Sequence, residues 1–193
     1  MNHQGLICGC GSPEFWVKNG NGILDGYIDK DDISDTAQGL ILLPTLLHPR
    51  STGSVSLKSR DYSDLPLIEP GYLTDDRDLD TLVAGALQCV ELAEKMSYGE
   101  IVIPKDLKHL ALKSKELWAE MARRYASTLY HPSSTCAMGK VLDSELRVNG
   151  VQGLRVADTS SFPHLTSGNT NAPAILVGEI ASDFIKSQYG LKK

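Results

Sequence analysis

Between Asp75 and Ala93 the chain carries an unbroken apolar stripe at helical spacing. Leu79, Leu82, Val83, Ala86, Leu87, Val90 and Ala93 recur at intervals of three and four, which places them on one face of an α-helix. Asp75-Asp76-Arg77-Asp78 opens the stripe, and acids in a first turn favour the positive end of the helix dipole. A second pattern runs from Lys115 to about Ala126, with Leu117, Trp118, Met121, Ala122 and Tyr125 on one side as core anchors. A third runs from about Ala172 to Ser187. Pro173 suits its first turn, and Ile175, Leu176, Ile180, Ala181, Phe184 and Ile185 supply its expected buried face.

Extended segments are short and gathered in blocks. Leu40-Ile41-Leu42-Leu43 is an apolar run, Ser54 to Ser59 alternates as a half-buried strand would, and Leu67-Ile68-Glu69 ends at Pro70-Gly71. Pro49 and Gly53 set a loop or hairpin between the first two. Leu146-Arg147-Val148 and Leu154-Arg155-Val156 are two brief alternating runs, with the turn signal Asn149-Gly150 between them. Residues 1–40 are rich in Gly, Asn and Asp and read as a loop-rich segment, with turns at Gly20-Asn21-Gly22 and Leu24-Asp25-Gly26. Helices and strands do not alternate as βαβ units, and this favours an α+β fold.

With 193 residues the chain has ample length for a core. A net charge of −5 without a Lys/Arg stripe argues against nucleic acid. No apolar run reaches the length of a membrane span. Cys8, Cys10, Cys89 and Cys136 match neither a zinc ribbon nor a disulfide framework, and no metal site is expected. Cys89 reads as a small hydrophobe in the first helix.

Chemistry concentrates in two segments. Tyr130-His131-Pro132-Ser133-Ser134-Thr135-Cys136-Ala137-Met138-Gly139 sets a histidine among small polar residues that suit a turn. Ser167-Gly168-Asn169-Thr170-Asn171-Ala172-Pro173 places two carboxamides at the start of the last helix. A histidine, with an ordinary pKa of about 6.5, can take a proton near neutral pH. A helix start offers free N–H groups to developing negative charge. Each residue also has a structural reading: His131 as a loop histidine, Thr170 or Asn171 as an N-cap, Asp158 as the brace of a turn before Phe162-Pro163. His48, His109 and His164 read as surface or packing residues.

Leu46-Leu47-His48-Pro49-Arg50-Ser51-Thr52-Gly53-Ser54-Val55, Pro66 to Leu73, His131-Pro132 with Thr135 and Met138-Gly139, and Gly150 to Ser160 follow one another in an order that resembles the C-terminal, substrate-binding half of a glucose-methanol-choline (GMC) oxidoreductase. With the last helix, the resemblance covers about three quarters of the chain. It implies an α+β domain with a mostly antiparallel sheet and flanking helices over residues 41–193, of which 146–193 contribute to an FAD site. It implies the oxidation of a small-molecule alcohol by hydride transfer to FAD. His131 takes the place of the family's base and Asn169 that of its second catalytic residue. Asp158 and Thr159 fall where the FAD ribityl and pyrophosphate are reached, and Asn169, Thr170, Asn171, Ala172 and Pro173 where the chain lies against the flavin.

The family also carries a Gly-rich dinucleotide fingerprint upstream of this region. Gly9-Cys10-Gly11 and Gly20-Asn21-Gly22 lack its third glycine. The expectation is a truncated half of the enzyme, inactive by itself, whose partner is the missing Rossmann-type FAD-binding domain. The alternative is a folded, non-catalytic remnant acting as an interaction module without flavin. A serine hydrolase using Ser134, His131 and Asp158 is the weaker third reading, for the sequence has no G-x-S-x-G elbow.

Overall fold

The computed structural model describes residues 4–11, 39–96 and 101–191. The expected turns at 20–22 and 24–26 lie outside them. The fold is α+β, in two compact units: Met1–Leu46 with Leu73–Ser127, and Leu47–Tyr72 with Thr128–Lys193. Among the described residues no helix is long and apolar enough to cross a membrane.

In the first unit, β1 (Gln4–Gly11) pairs antiparallel with β2 (Gly39–Leu46), from Gln4 opposite Leu46 to Gly11 opposite Gly39. The apolar run at 40–43 does form a strand. Its partner, by contrast, arises from a glycine-rich stretch read as loop, because the pairing is carried by backbone groups. Helix α1 (Asp76–Met96) has Asp76 and Asp78 in its first turn and buries Leu79, Val83, Ala86, Cys89 and Val90. The buried Cys89 bears out its reading as a small hydrophobe. Gly85 leaves room for β2, since a Cβ there would stand 3.0 Å from Pro44 Cβ.

Helix α2 (Lys115–Tyr125) starts where the Ser114 hydroxyl accepts the Leu117 N–H at 3.2 Å, as an N-cap should. Leu117 and Met121 are buried against Leu107, with Trp118 and Tyr125 packed around them. The Trp118 indole N–H donates to the Leu112 carbonyl at 2.7 Å, so its burial leaves no donor unmet. Arg124 pairs with Asp106 and Glu120.

In the second unit, β3 (Ser54–Ser56) pairs antiparallel with β4 (Leu67–Glu69). All six residues are exposed, and Leu57 is 85% exposed. The alternation from Ser54 to Ser59 marks a strand start correctly but not the expected half-burial. Gly53 and Gly71 fix the crossing of these segments: a Cβ on Gly53 would lie 2.0 Å from the Glu69 carbonyl oxygen, and one on Gly71, which has φ +63°, would lie 2.3 Å from that of Thr52. Backbone cannot yield as a flexible side chain can. Gly53→Ala is therefore expected to destabilise by about 1–3 kcal/mol. Gly178→Ala, a mid-helix position with open space around it, should stabilise by up to about 1 kcal/mol. Urea midpoints of the two variants test the contrast.

Helix α3 (Asn171–Gln188) packs through Val177, Ala181 and Phe184 against Leu142, Leu146, Cys136, Met138, Val148 and Val156. Leu142 is fully buried, worth about 1.5–3 kcal/mol relative to exposure. Of the face expected to be buried, Ala181 and Phe184 pack as anticipated. Ile175, Leu176, Ile180 and Ile185 do not, and the first two are 58% exposed. The helix is apolar on more than one side, and the side chains facing Leu142 decide which side packs. The runs at 146–148 and 154–156 do not become strands. They make single bridges, Leu142 with Val148 and Arg147 with Arg155, around the turn at Asn149-Gly150.

Candidate active site

The second unit brings the two chemical segments together, and one core cluster fixes both. Cys136 and Met138 lie just after His131, and Val177 lies in the second turn of α3. All three pack in the same cluster. The segment after His131 is also tied to a short 3₁₀ turn, Thr159–Ser161. Ser134 N donates to Thr159 O at 3.1 Å, Cys136 N to Ser160 O at 2.8 Å and Met138 N to Ser161 O at 2.9 Å. The Thr159 hydroxyl adds a bond to the Pro132 carbonyl at 3.2 Å. Ser161 is fully buried, yet its hydroxyl donates to Asp158 O at 2.7 Å, so the turn leaves that group satisfied.

Beneath the segment, the Asp143 carboxylate accepts the N–H groups of Glu145 at 2.8 Å and Arg147 at 2.9 Å. The Arg147 N–H above all holds that carboxyl below its ordinary pKa. This turn carries Leu142 and Leu146 into the core.

The loop bearing His131 is bracketed by two left-handed residues that are not glycine, Tyr130 at φ 62° and Ser134 at φ 71°. Such residues cost of order 1–3 kcal/mol each and persist where the surroundings over-determine them. Between them, His131 faces the start of α3. Its Nε2 lies 3.1 Å from Asn169 Oδ1 and its Nδ1 lies 3.2 Å from Thr170 Oγ1. Both ring nitrogens are thus engaged by neighbouring residues of one segment, which orients the ring. The His131 ring is part-buried while Asn169 is exposed, so the pair is reachable from outside the unit.

The other site residues from the sequence fall around this pair. Thr170 is the N-cap of α3 but makes no side-chain capping bond; its hydroxyl is turned to His131 instead. Asn171 and Ala172 are exposed in the first turn, and Pro173 is half-buried. Asp158 braces the 3₁₀ turn through the N–H and hydroxyl of Ser160, as its structural reading held, and it stays exposed. Ser134 meets Ser133, and His131 faces Asn169 and Thr170, so the structure does not assemble a Ser134–His131–Asp158 triad. Among the described residues no group of three His, Cys, Asp or Glu is arranged to hold a metal ion.

Two contacts escaped the sequence. The Thr170 bond to His131 is one. The other joins His48 Nε2 and Ser167 Oγ at 2.8 Å, steadying the loop that presents Asn169. Residues so far apart in the chain leave no spacing signal, although His48-Pro49 lies within the stretch that carries the family resemblance.

The family model described as GMC oxidoreductase matches residues 49–178. The chain belongs to the GMC oxidoreductase family. It is 34% identical to choline oxidase of Arthrobacter globiformis over 93% of its own length and 34% of that protein's. It is 35% identical to glucose dehydrogenase [FAD, quinone] of Drosophila pseudoobscura pseudoobscura, over 83% of this chain and 28% of the relative. A solved fungal aryl-alcohol oxidase superposes with a TM-score of 0.69 at 29% identity, covering 81% of this chain and 26% of that one. The chain therefore spans about a third of the length of the GMC relatives it matches. All three names are those of oxidoreductases, as the family's is.

Proposed function

We propose that this chain supplies the substrate-side half of an FAD-dependent oxidation of an alcohol to a carbonyl, with His131 as the base. The observation that carries this reading is the 3.1 Å pairing of His131 Nε2 with Asn169 Oδ1 at the start of α3. An alcohol hydroxyl entering at that pair gives its proton to His131 Nε2 and accepts a hydrogen bond from the Asn169 amide group. The proton leaves oxygen as the C–H electron pair leaves carbon, so a group poised on each atom lowers the same barrier.

The residues fit a flavin on the same side. No side chain caps α3, which leaves first-turn N–H groups and the positive dipole end to face negative charge. Asn171 and Ala172 are exposed beside them, as is Asp158 on the neighbouring turn. These residues, with Asn169, Thr170, Thr159 and Pro173, would hold the cofactor, and bound FAD would accept the hydride.

Ile175, Leu176 and Ile180 are exposed along α3, apolar area that a partner would cover. An FAD-binding domain is the partner we assign to it.

Absorbance near about 450 nm, where protein-bound flavin absorbs, tests the division of labour. The purified 193-residue chain should be colourless after incubation with FAD, and the same chain joined to a family FAD-binding domain should be yellow and bleach with an alcohol. Stoichiometric flavin on the chain alone would overturn the division. Failure of every alcohol to bleach a flavin-loaded form would favour a non-catalytic interaction module.

A further inference from the structure

A threonine at an N-cap ordinarily turns its hydroxyl to a first-turn N–H. Thr170 does not: it makes no side-chain cap bond, and its Oγ1 lies 3.2 Å from His131 Nδ1. It is buried, at 8% exposed, and β-branched, so its χ1 has little freedom. Its backbone, at φ −80° and ψ −3°, is already helical rather than extended, so its hydroxyl is not placed to cap the helix and meets the ring instead. Asn169 meets the opposite nitrogen, and the two neighbours together leave the imidazole one orientation.

We infer that Thr170 is a positioning residue that acts through His131, its hydroxyl holding Nδ1 while Nε2 faces Asn169 and the substrate side. This rests on the reading of His131 as the base. A neutral imidazole has one N–H and one lone pair, whereas a hydroxyl both donates and accepts. Thr170 therefore serves each stage of a proton transfer. With hydrogen on Nε2, as the contact to Asn169 Oδ1 implies, the hydroxyl donates to Nδ1. With hydrogen on Nδ1 and the Nε2 lone pair free for the substrate proton, it accepts. Once Nε2 has taken that proton both ring nitrogens donate, and the hydroxyl goes on accepting. The ring changes its protonation without losing its second partner, so the transfer needs no rotation of the imidazole. A carboxylate in that place would favour the charged ring throughout, and an apolar side chain would leave Nδ1 unmet when it carries hydrogen.

Two measurements test this. In the 193-residue chain, long-range ¹H–¹⁵N spectra read the His131 ring nitrogens directly. Thr170→Val should move the Nδ1 resonance and Thr170→Ser should return it towards the parent position; no movement, or the same movement for both variants, would overturn the inference. In the flavin-loaded enzyme, Thr170→Val should lower kcat about tenfold with KM within about twofold, and Thr170→Ser should restore kcat to within about threefold. Thr170→Ala, which also lacks the hydroxyl, replaces the valine variant should that fail to fold. Unchanged kcat in the hydroxyl-free variants, or no rescue by serine, would overturn the positioning role. His131→Ala separates the two readings: full turnover in that variant removes the base itself, whereas a large loss there with a silent Thr170→Val removes Thr170 alone.

Discussion

In a flavin-loaded enzyme, His131→Ala lowers turnover about 10²–10⁴-fold, the range typical of losing one acid–base group, and changes KM far less. On the proposed reading the imidazole is needed when the hydroxyl proton departs, and a group that acts at that moment appears in kcat rather than in uniform binding. The substitution removes little packing, because the ring is only part-buried and the loop is held by backbone bonds from Ser134, Cys136 and Met138 to the 3₁₀ turn. The buried Thr170 hydroxyl loses its partner, so a fall in melting temperature of only about 2–4 °C per kcal/mol lost should accompany the effect on turnover. Steady-state kinetics with one alcohol check both parts, and equal turnover in the variant would remove His131 from the mechanism.

Asn169→Ala should cost about 10²–10³-fold in turnover, the cost of removing one preorganised donor from a site of developing charge. Asn169 stands on the loop just before α3, and the His48–Ser167 bond behind it fixes that loop. On the proposed reading its carboxamide, 3.1 Å from His131 Nε2, shares one substrate atom with the base. Asn169→Asp is the sharper comparison. A carboxylate there would hold the imidazole as a cation and so block the base, and it has no N–H to give the substrate oxygen, so the loss should be at least as large as that of alanine although the contact to His131 Nε2 is kept. An aspartate variant with near-normal turnover would argue against proton abstraction by His131.

Much of this arrangement was legible in the residues. The helices at Asp76–Met96 and Lys115–Tyr125 announce themselves through 3,4 spacing, the first also through its first-turn acids, all local signals; the Ser114 cap appears only in the structure. The His131 and Asn169 segments stood out by composition, and the family register joined them.

What was not legible depended on distant partners. β1 forms from Gln4–Gly11 because β2 offers backbone hydrogen bonds, and a glycine-rich strand has no side-chain alternation to betray it. Ile175 and Leu176 satisfy a helical stripe as well as Val177 does, and only the position of Leu142 and Leu146 selects the face. The runs at 146–148 and 154–156 alternate correctly, yet the turns around them leave room for single bridges. The contact of Thr170 with His131 is likewise set in space, between residues 39 apart in the chain.

On the proposed mechanism His131 and Asn169 act as one unit. A double-mutant cycle read by anaerobic, single-turnover reduction of the bound flavin measures that directly. Groups that serve the same transition state are strongly non-additive. His131→Ala/Asn169→Ala should therefore lose little more than the worse of the two single variants. Losses that multiply, or a single variant that reduces flavin at the parent rate, would contradict it.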